Sequence, residues 1–350
     1  MDVVAGLLNG PRAQGAFLLR SSLTPPWSLR VQDEAPLTLV AIVRGEALVL
    51  PASGNATALH RGDVALLRGP DPYTFANDLA TAPQAVIHPG QRCTTPEGGE
   101  LSEMRDLGIR TWGNNPAGST VMITGTYQVL SEICRPLLDA LPTLVVLRSD
   151  DWDTPVVQLL ADEVVRDDPG QEAVLDRLLD LLLITFLRTW FSRPDVKQPA
   201  WYRAHSDPVV GRALRLLHDD PAHPWTVAEL AAAANVSRAA LARRFTELIG
   251  EPPMAYLTSW RLALAADLLR EPDTTIGAVA EQVGYASSFA LSTAFKRVRG
   301  ISPREHRSLA TRHGFVRQPH QEPESTGQAD HGDRAQSTAA YPPVAGAAHG

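Results

Sequence analysis

The sequence lacks the features of a membrane or secreted protein. Its 350 residues contain no run of about eighteen or more apolar residues, so we expect no membrane-spanning helix. The first residues, from Met1 to Gly6, do not combine a basic stretch with an apolar one, so we expect no secretory leader. Together these absences predict a cytoplasmic protein that has no contact with a membrane.

Cysteine is also scarce, since only Cys93 and Cys134 occur in the whole chain. Two cysteines do not make the disulfide framework of a small secreted domain, nor do they make a structural zinc site. We expect both side chains to be ordinary reduced thiols. The sequence leaves a thiol switch open as the alternative.

Positive charge is in short supply, because 32 Lys and Arg residues stand against 39 Asp and Glu residues and the net charge is −7. Residues 1–199 hold 16 basic and 24 acidic residues, whereas residues 200–311 hold 13 basic and 11 acidic residues. The acidic excess therefore belongs to the first part. The second part must concentrate its basic residues on one face if it is to bind an anionic partner.

The first 125 residues contain short apolar runs that are separated by turn signals. Examples of these breaks are Pro25-Pro26 and the segment from Gly69 to Asp71. Frequent short strands with turns between them are typical of a small barrel or a jelly roll. The runs that predict strands cover residues 16–19, 37–43, 47–50, 64–67, 84–88 and 121–126.

A pair of helices is predicted after this β region, over residues 154–166 and 171–191. The second helix carries an apolar stripe through Leu175, Leu182 and Phe186, and further leucines widen it beyond the usual face of a surface helix. The extra apolar area predicts either a partner or deeper burial against the protein's own β region.

One local sequence pattern occurs twice between residues 226 and 297. Each copy has a short apolar-periodic helix, a tight turn at Asn235 or Gly284, and a second helix that is opened by serine. Asn and Gly tolerate the left-handed backbone that such a turn requires. This pattern predicts a helix-turn-helix unit that occurs twice.

Local capping supports the two units. Thr226 and Glu229 have the spacing of a capping box, and Ser237 is placed to cap the second helix of the first unit. In the second unit either Ser287 or Ser288 has that role. The residues that we expect to face inward lie four apart, and they are Leu241 with Phe245 and Leu291 with Phe295.

The two units are joined by a predicted helix over residues 254–270. A helix of this length spans roughly 25 Å at about 1.5 Å per residue. With the widths of the flanking units, this places the two recognition helices about 34 Å apart, which is about one turn of DNA. A single chain could therefore enter two successive major grooves on one face of the duplex.

The run from Ile276 to His306 resembles the signature of the AraC/XylS family of transcription regulators. The resemblance rests on Val279–Phe289, Phe295–Arg297 and Gly300–His306, and it extends over residues 208–307. It implies a seven-helix domain that binds double-stranded DNA, a sequence-specific transcription regulator and no enzymatic activity. The target promoters and the choice between activator and repressor are left open.

The predicted DNA contacts follow from this motif. Arg243 can pair bidentately with guanine in the major groove. Thr293 stands where the family often has an arginine, which implies that the second recognition helix positions the protein more than it reads bases. The other predicted contacts are Arg238, Arg244, Lys296 and Arg297 with phosphates, Ala239 and Ala242 with thymine methyl groups, and Ser288 and Ser292 along the second recognition helix.

Residues 1–195 resemble the cupin-type sensor half of a subgroup of AraC regulators. The resemblance rests on Val43–Ala47, Leu59–Leu67, Gly69–Tyr73 and Gly125–Gln128. It implies a barrel that receives a signal and a helical pair that forms the seam of an antiparallel homodimer. It also implies an unknown small-molecule effector and, for an activator, a contact with RNA polymerase.

The cupin-like region lacks the donors of a metal-using cupin enzyme. Such an enzyme needs a His-x-His pair, a carboxylate and a later histidine, whereas His60 and His88 are isolated, so we expect no metal or other cofactor. Thr124 stands where some relatives place a cysteine suited to oxidant sensing, which argues against a redox mechanism. The predicted effector-binding residues at the barrel mouth are Trp27, Tyr73, His88 and Trp112.

The sequence thus predicts an α+β protein in four segments. These are a cupin-like β-barrel with its helical pair (1–195), a linker (196–207), an all-α double helix-turn-helix domain (208–311) and a disordered tail (312–350). The main hypothesis is a DNA-binding regulator that is controlled by a signal at the barrel. A cupin metalloenzyme fused to a DNA-binding module and a ligand-blind architectural DNA binder are the alternatives.

Overall fold

A computed structural model describes residues 16–128, 131–152, 154–271 and 273–313 of the chain. Within these ranges the predicted fold class is confirmed, because a β-rich part is followed by an all-helical part. The predicted disordered tail, residues 312–350, lies outside the described residues from position 314 onward. In the same described ranges, no helix is both long and apolar enough to cross a membrane.

The β-rich part contains two sheets that pack face to face. In the described residues one sheet has seven strands in the order β10-β11-β1-β12-β3-β6-β13, and the other has six in the order β5-β4-β7-β2-β8-β9. The sheets stay separate, so the predicted barrel is open. The strands are β1 (Phe17–Leu23), β2 (Ser28–Val31), β3 (Leu37–Arg44), β4 (Glu46–Pro51), β5 (Thr57–His60), β6 (Val64–Arg68), β7 (Tyr73–Ala76), β8 (Ala85–Ile87), β9 (Cys93–Thr94), β10 (Arg105–Gly108), β11 (Thr111–Gly113), β12 (Thr120–Tyr127) and β13 (Leu144–Leu147).

Strand β3 shows why some of the predicted runs are continuously apolar. Successive side chains of a strand point to opposite faces of the sheet. Leu39 and Ala41 therefore join the core beneath the helices, whereas Val40 and Ile42 join the core between the two sheets. Both faces of this strand are buried, so the sequence shows an apolar run instead of an alternation.

Three helices also belong to the β-rich part: α1 (Arg135–Ala140), which lies between β12 and β13, and α2 (Val156–Glu163) and α3 (Gln171–Ser192), which follow β13. Leu175, Leu179 and Phe186 of α3 are buried against the outer face of the seven-stranded sheet. Gly125 of β12 makes this close packing possible, since a Cβ atom there would lie 2.4 Å from Leu179 Cδ1. The predicted helical pair is confirmed, and most of its apolar stripe is covered by the protein's own sheet.

The remaining helices form the second part of the chain. The first of them lies inside the predicted linker, and its Ala204 is buried in the same core as the helices that follow. The helices are α4 (Ala200–Ser206), α5 (Val210–Asp219), α6 (Val227–Ala233), α7 (Arg238–Ile249), α8 (Pro253–Leu268), α9 (Ile276–Gln282), α10 (Ser288–Arg299) and α11 (Pro303–His313).

The predicted helix-turn-helix units are α6–α7 and α9–α10. Asn235 and Gly284 both adopt left-handed backbone, with φ of 56° and 80°. The Thr226–Glu229 capping box is present, and the hydroxyl of Ser237 accepts a hydrogen bond from the next helix. In the second unit it is Ser287 that caps, because its hydroxyl accepts from the backbone N–H of Ala290 at 3.2 Å.

Substitution of Gly284 tests the turn of the second unit. A Cβ atom at this position would lie 2.5 Å from the carbonyl oxygen of Ala222, whereas at Gly250, where φ is +96°, nothing lies within 4 Å. We expect Gly250→Ala to lower the free energy of unfolding by about 1–2 kcal/mol, from left-handed strain alone. Gly284→Ala should cost roughly 1–3 kcal/mol more, because backbone atoms must move. Urea unfolding of both variants measures this, and equal midpoints would contradict the close contact.

Candidate nucleic-acid interface and cavity

Helices α7 and α10 have matching buried faces. Leu241 and Phe245 of α7, like Leu291 and Phe295 of α10, are fully buried. The predicted inward faces are therefore confirmed. Because each helix is anchored on one side, its opposite side is presented to solvent, and this is where the predicted DNA contacts fall.

On α7 the exposed side includes Arg238, Ala239 and Arg243, while Ala242 is half-buried. The side chain of Arg243 is 77% exposed, and its only ion pair among the described residues is a 3.8 Å contact with Glu247 Oε1. An exposed pair of this kind contributes little energy and is readily exchanged for another anion. The Arg243 guanidinium can therefore reach a partner outside the protein.

Arg244 has a different environment. Its Nη2 lies 2.6 Å from Oδ2 of Asp207, and its Nε donates to the same oxygen at 2.8 Å. Asp207 also accepts from the backbone N–H groups of Val209 and Val210 at the start of α5. Burial raises the pKa of Asp207, but the hydrogen bonds from Arg244 and the backbone outweigh it and lower the pKa. The structure thus places Arg244 in a bond that holds α7 against α5.

On α10 the exposed residues are Ser288, Thr293, Lys296 and Arg297, and Ser292 is half-buried. The hydroxyls of Ser292 and Thr293 donate to the carbonyl oxygens of Ser288 and Phe289, four residues earlier in the helix. These donors are therefore occupied within the helix, although each oxygen can still accept a hydrogen bond.

Phe289 is a surface feature that the sequence analysis missed. Its side chain is 80% exposed, on the same side of α10 as Ser292 and Thr293. The signal was present, because Phe289 lies off the buried row that Leu291 and Phe295 define. An exposed aromatic side chain on a recognition helix is large enough to contact a base or its methyl group.

A short 3-10 helix of the β-rich part, Glu132–Cys134, is embedded in the helical part. We call residues 131–134 the strap. Ile133 is buried in the core beneath α7, and Asp267 of α8 accepts the backbone N–H of Glu132 at 2.7 Å. The strap therefore joins the two parts of the chain through an apolar side chain and a capped helix start.

The carboxylate of Glu132 is the ionic centre of the strap. It accepts from Arg299 Nη1 of α10 at 2.9 Å and from Arg270 Nη2, just after α8, at 3.4 Å. Burial raises the pKa of Glu132, but Arg299, Arg270 and the nearby Arg135 together outweigh it and lower the pKa. Burial raises the pKa of the neighbouring Asp267 to about 6. Residues more than a hundred positions apart thus form one half-buried network.

A cavity of about 160 Å³ lies in the β-rich part. Two of the four predicted effector-binding residues, Tyr73 and Trp112, line it. Trp27 is fully buried, and the ring nitrogens of His88 lie within hydrogen-bond distance of Gln32 and Thr94 instead. The other lining residues are Phe17, Leu19, Ser21, Leu29, Val31, Asp33, Phe75, Ile87, Gln91, Cys93, Met122, Thr124 and Thr126.

The thiols show no sign of activation. Burial raises the pKa of Cys93, which lines the cavity. Burial also raises the pKa of Cys134 to about 12, and its Sγ lies 3.0 Å from Ser131 Oγ. A reactive cysteine needs a lowered pKa, so both environments favour the ordinary thiol over a thiol switch. Across the described ranges, no three or more His, Cys, Asp or Glu side chains converge as a metal site.

Comparison with known proteins gives the class of this chain. Residues 2–192 match the Cupin family, and residues 230–308 match the family described as Helix-turn-helix domain. An AraC-like transcription regulator of Streptomyces antibioticus is 34% identical over 286 residues, which is 80% of this chain and 90% of the relative. The regulator AlkR of Acinetobacter baylyi is 28% identical over 316 residues, covering 88% and 99% respectively.

Among solved structures, the DNA-binding domain of AdpA in complex with a target DNA is 34% identical, covers 30% of this chain and 93% of its own, and has a TM-score of 0.28. The two family matches and the AraC-like relatives define a DNA-binding transcription regulator with an amino-terminal cupin-type part. The chain belongs to the AraC-like transcription regulators.

Removal of the Glu132 charge tests the strap. Glu132→Gln removes the carboxylate that Arg299 binds and leaves Arg270 with Asp267, so we expect the free energy of unfolding to fall by about 1–3 kcal/mol, somewhat less than for a fully buried pair. The exposed Glu103 is the matched control, because no contact of its side chain is part of the network. Calorimetric unfolding should show the helical part melting earlier in Glu132→Gln. The network would be refuted by transitions that coincide for Glu132→Gln and Glu103→Gln.

Proposed function

We propose that this regulator reads two successive major grooves with α7 and α10, and that its cupin-type part adjusts this binding in response to a small molecule. The observation that carries the first half is the packing of α8. Leu257 and Trp260 belong to the core beneath α7, and Leu262 and Ala265 belong to the core beneath α10. One helix thus sets the separation of the two recognition helices.

The proposed DNA contacts divide by chemistry. Arg243 pairs with guanine, because its guanidinium is exposed and its ion pair is weak. Arg238, Lys296 and Arg297 contact phosphates. Apolar contacts with thymine methyl groups come from Ala239 and Ala242, and we add Phe289 on α10 to this set. Ser288, Ser292 and Thr293 line the second groove, and Arg244 can bind phosphate only after releasing Asp207.

The proposed response to a ligand follows the path of β12. Met122, Thr124 and Thr126 of this strand line the cavity. The strap lies soon after the strand ends at Tyr127, and it contacts α8 and α10. A ligand that favours one position of β12 would therefore shift the population of strap arrangements. The cavity is in this view the effector site, and the activity is regulatory and not enzymatic.

The proposed homodimer rests on the outer face of α3. Val174 and Leu181 are exposed and Leu178 is half-buried, although the rest of the helix packs on the sheet. Their spacing of four and three residues is that of a coiled-coil seam. A second copy of α3 fits this face, so we propose a cytoplasmic dimer with domains over residues 1–195 and 208–311. RNA polymerase is the further partner if the protein activates.

Footprinting on the promoter DNA that flanks the protein's own gene tests the proposed function. In the presence of competitor DNA, each subunit should protect two adjacent major grooves on one face, about 20 base pairs. Protection of one groove would contradict the joint role of α7 and α10. Weak binding to every sequence at physiological salt would instead favour the architectural alternative.

Arg243→Ala tests base reading by α7. If Arg243 pairs with a guanine, the variant should lose about 1–3 kcal/mol on the protected site and tolerate other bases at one position. Arg212→Ala, which removes an exposed arginine from α5, is the matched control and should bind like the wild type. Fluorescence anisotropy with single-base variants of the site measures both effects. An equal loss on all sequences would make Arg243 a phosphate contact.

A further inference from the structure

The cavity of the cupin-type part is small enough to limit the size of a ligand that it can hold. Its volume is about 160 Å³. Engineered apolar cavities of about 150 Å³ in another protein hold one benzene molecule. A molecule with one six-membered ring, or a chain of equal bulk, therefore fits this space, whereas a fused-ring molecule does not.

The walls of the cavity are mostly apolar and partly aromatic. Leu29, Val31 and Met122 supply aliphatic surface, and Phe75 and Trp112 supply rings. Burial of apolar ligand surface here is favourable at about 25 cal/mol per Å². The faces of aromatic rings also attract cations, so these walls do not exclude a positively charged ligand.

Of the described residues that line the cavity, Asp33 is the only Asp, Glu, Lys, Arg or His residue. The residue is 6% exposed. One carboxylate oxygen accepts from the backbone N–H of Ala35 at 3.2 Å, and the other accepts from Gln91 Nε2 at 3.2 Å. A carboxylate has about four acceptor sites, so capacity remains for a further donor.

The charge of Asp33 is not balanced by a cation within the described residues. Its contacts there are with neutral donors. Burial raises the pKa of Asp33, which shows that its environment disfavours the carboxylate. Burying a charge without a partner is costly, and a cation placed beside it removes much of that cost. A ligand cation would therefore gain energy here that a neutral molecule would not.

We propose that the cavity binds a small primary amine whose apolar body is about one ring in size and whose ammonium group meets the carboxylate of Asp33. The proposal rests on the proposed function, since it names the chemical class of the effector at the same site. It excludes small carboxylic acids, because their anion would lie beside the Asp33 carboxylate. A neutral alcohol of the same shape should bind, but more weakly.

Three probes of equal bulk separate these possibilities. We would titrate benzylamine, benzyl alcohol and benzoate into the full-length protein at pH 7 and measure the heat of binding. Benzylamine should bind at least tenfold more tightly than benzyl alcohol, and benzoate should not bind. The proposal is overturned if none of the three binds, if amine and alcohol bind equally, or if benzoate binds best.

Asp33→Asn tests the role of the carboxylate. Asparagine keeps an oxygen that can accept from Ala35, so the variant should fold, and its preference for the amine should be lost while the alcohol binds as before. Asp71→Asn changes an exposed aspartate that does not line the cavity, and it serves as the control. An amine preference that survives in Asp33→Asn would overturn the proposal.

A measurement on the unmodified protein tests the same carboxylate without depending on whether the variant folds. Protonation of Asp33 removes its charge, so amine affinity should fall as the pH drops toward the raised pKa of Asp33, and alcohol affinity should stay constant. Burial raises the pKa of the other titratable lining groups, Tyr73 and Cys93, so both remain neutral in this range. Equal pH profiles for the two probes would overturn the proposal.

The two proposals can fail separately. Footprinting without any probe tests the DNA-binding regulator, and the titrations test the ligand class. A two-groove footprint together with no amine preference rejects only the amine. Amine binding without a specific footprint rejects the regulator but leaves the chemistry of the cavity standing.

Discussion

The helical part depends on one helix that belongs to two cores. Leu257 and Trp260 of α8 pack beneath α7, and Leu262 and Ala265, within the next two turns, pack beneath α10. An α-helix advances by about 100° and 1.5 Å per residue, so one residue added between these positions would turn one core away from the other. The separation of the recognition helices is therefore fixed by the length and phase of α8, and a flexible linker could not hold it.

The strap adds a second constraint, between the parts of the chain. Glu132 forms ion pairs with Arg270, which follows α8, and with Arg299 of α10. It therefore contacts both the end of the helix that connects the two units and the second recognition helix. Such a half-buried charge cluster has few alternative arrangements, because separating Glu132 from Arg299 takes each of these two charges away from the other.

Periodicity and capping made the architecture predictable from sequence, because both act over a few residues. The turn residues Asn235 and Gly284 and the capping box at Thr226 are local features of this kind. Glu132 and Arg299 are 167 positions apart, so their contact produces no periodic pattern in the sequence from which it could be predicted. The cavity was predictable only in part. Tyr73 and Trp112 were predicted and line it, whereas Asp33 was missed because a single carboxylate near a turn is usually exposed to solvent.

The distribution of positive charge also bears on how DNA is recognised. The helical part has a small basic excess, and several of its arginines are already engaged inside the protein. Arg244 binds Asp207, Arg299 binds Glu132, and Arg261 donates to the carbonyl oxygens of Pro221 and His223. These three arginines are then not free to bind phosphates, so counterion release depends on the other basic residues of this part. The proposed contacts of α7 and α10 with two successive grooves also require a fixed separation of the two helices, which the packing of α8 provides and net charge does not.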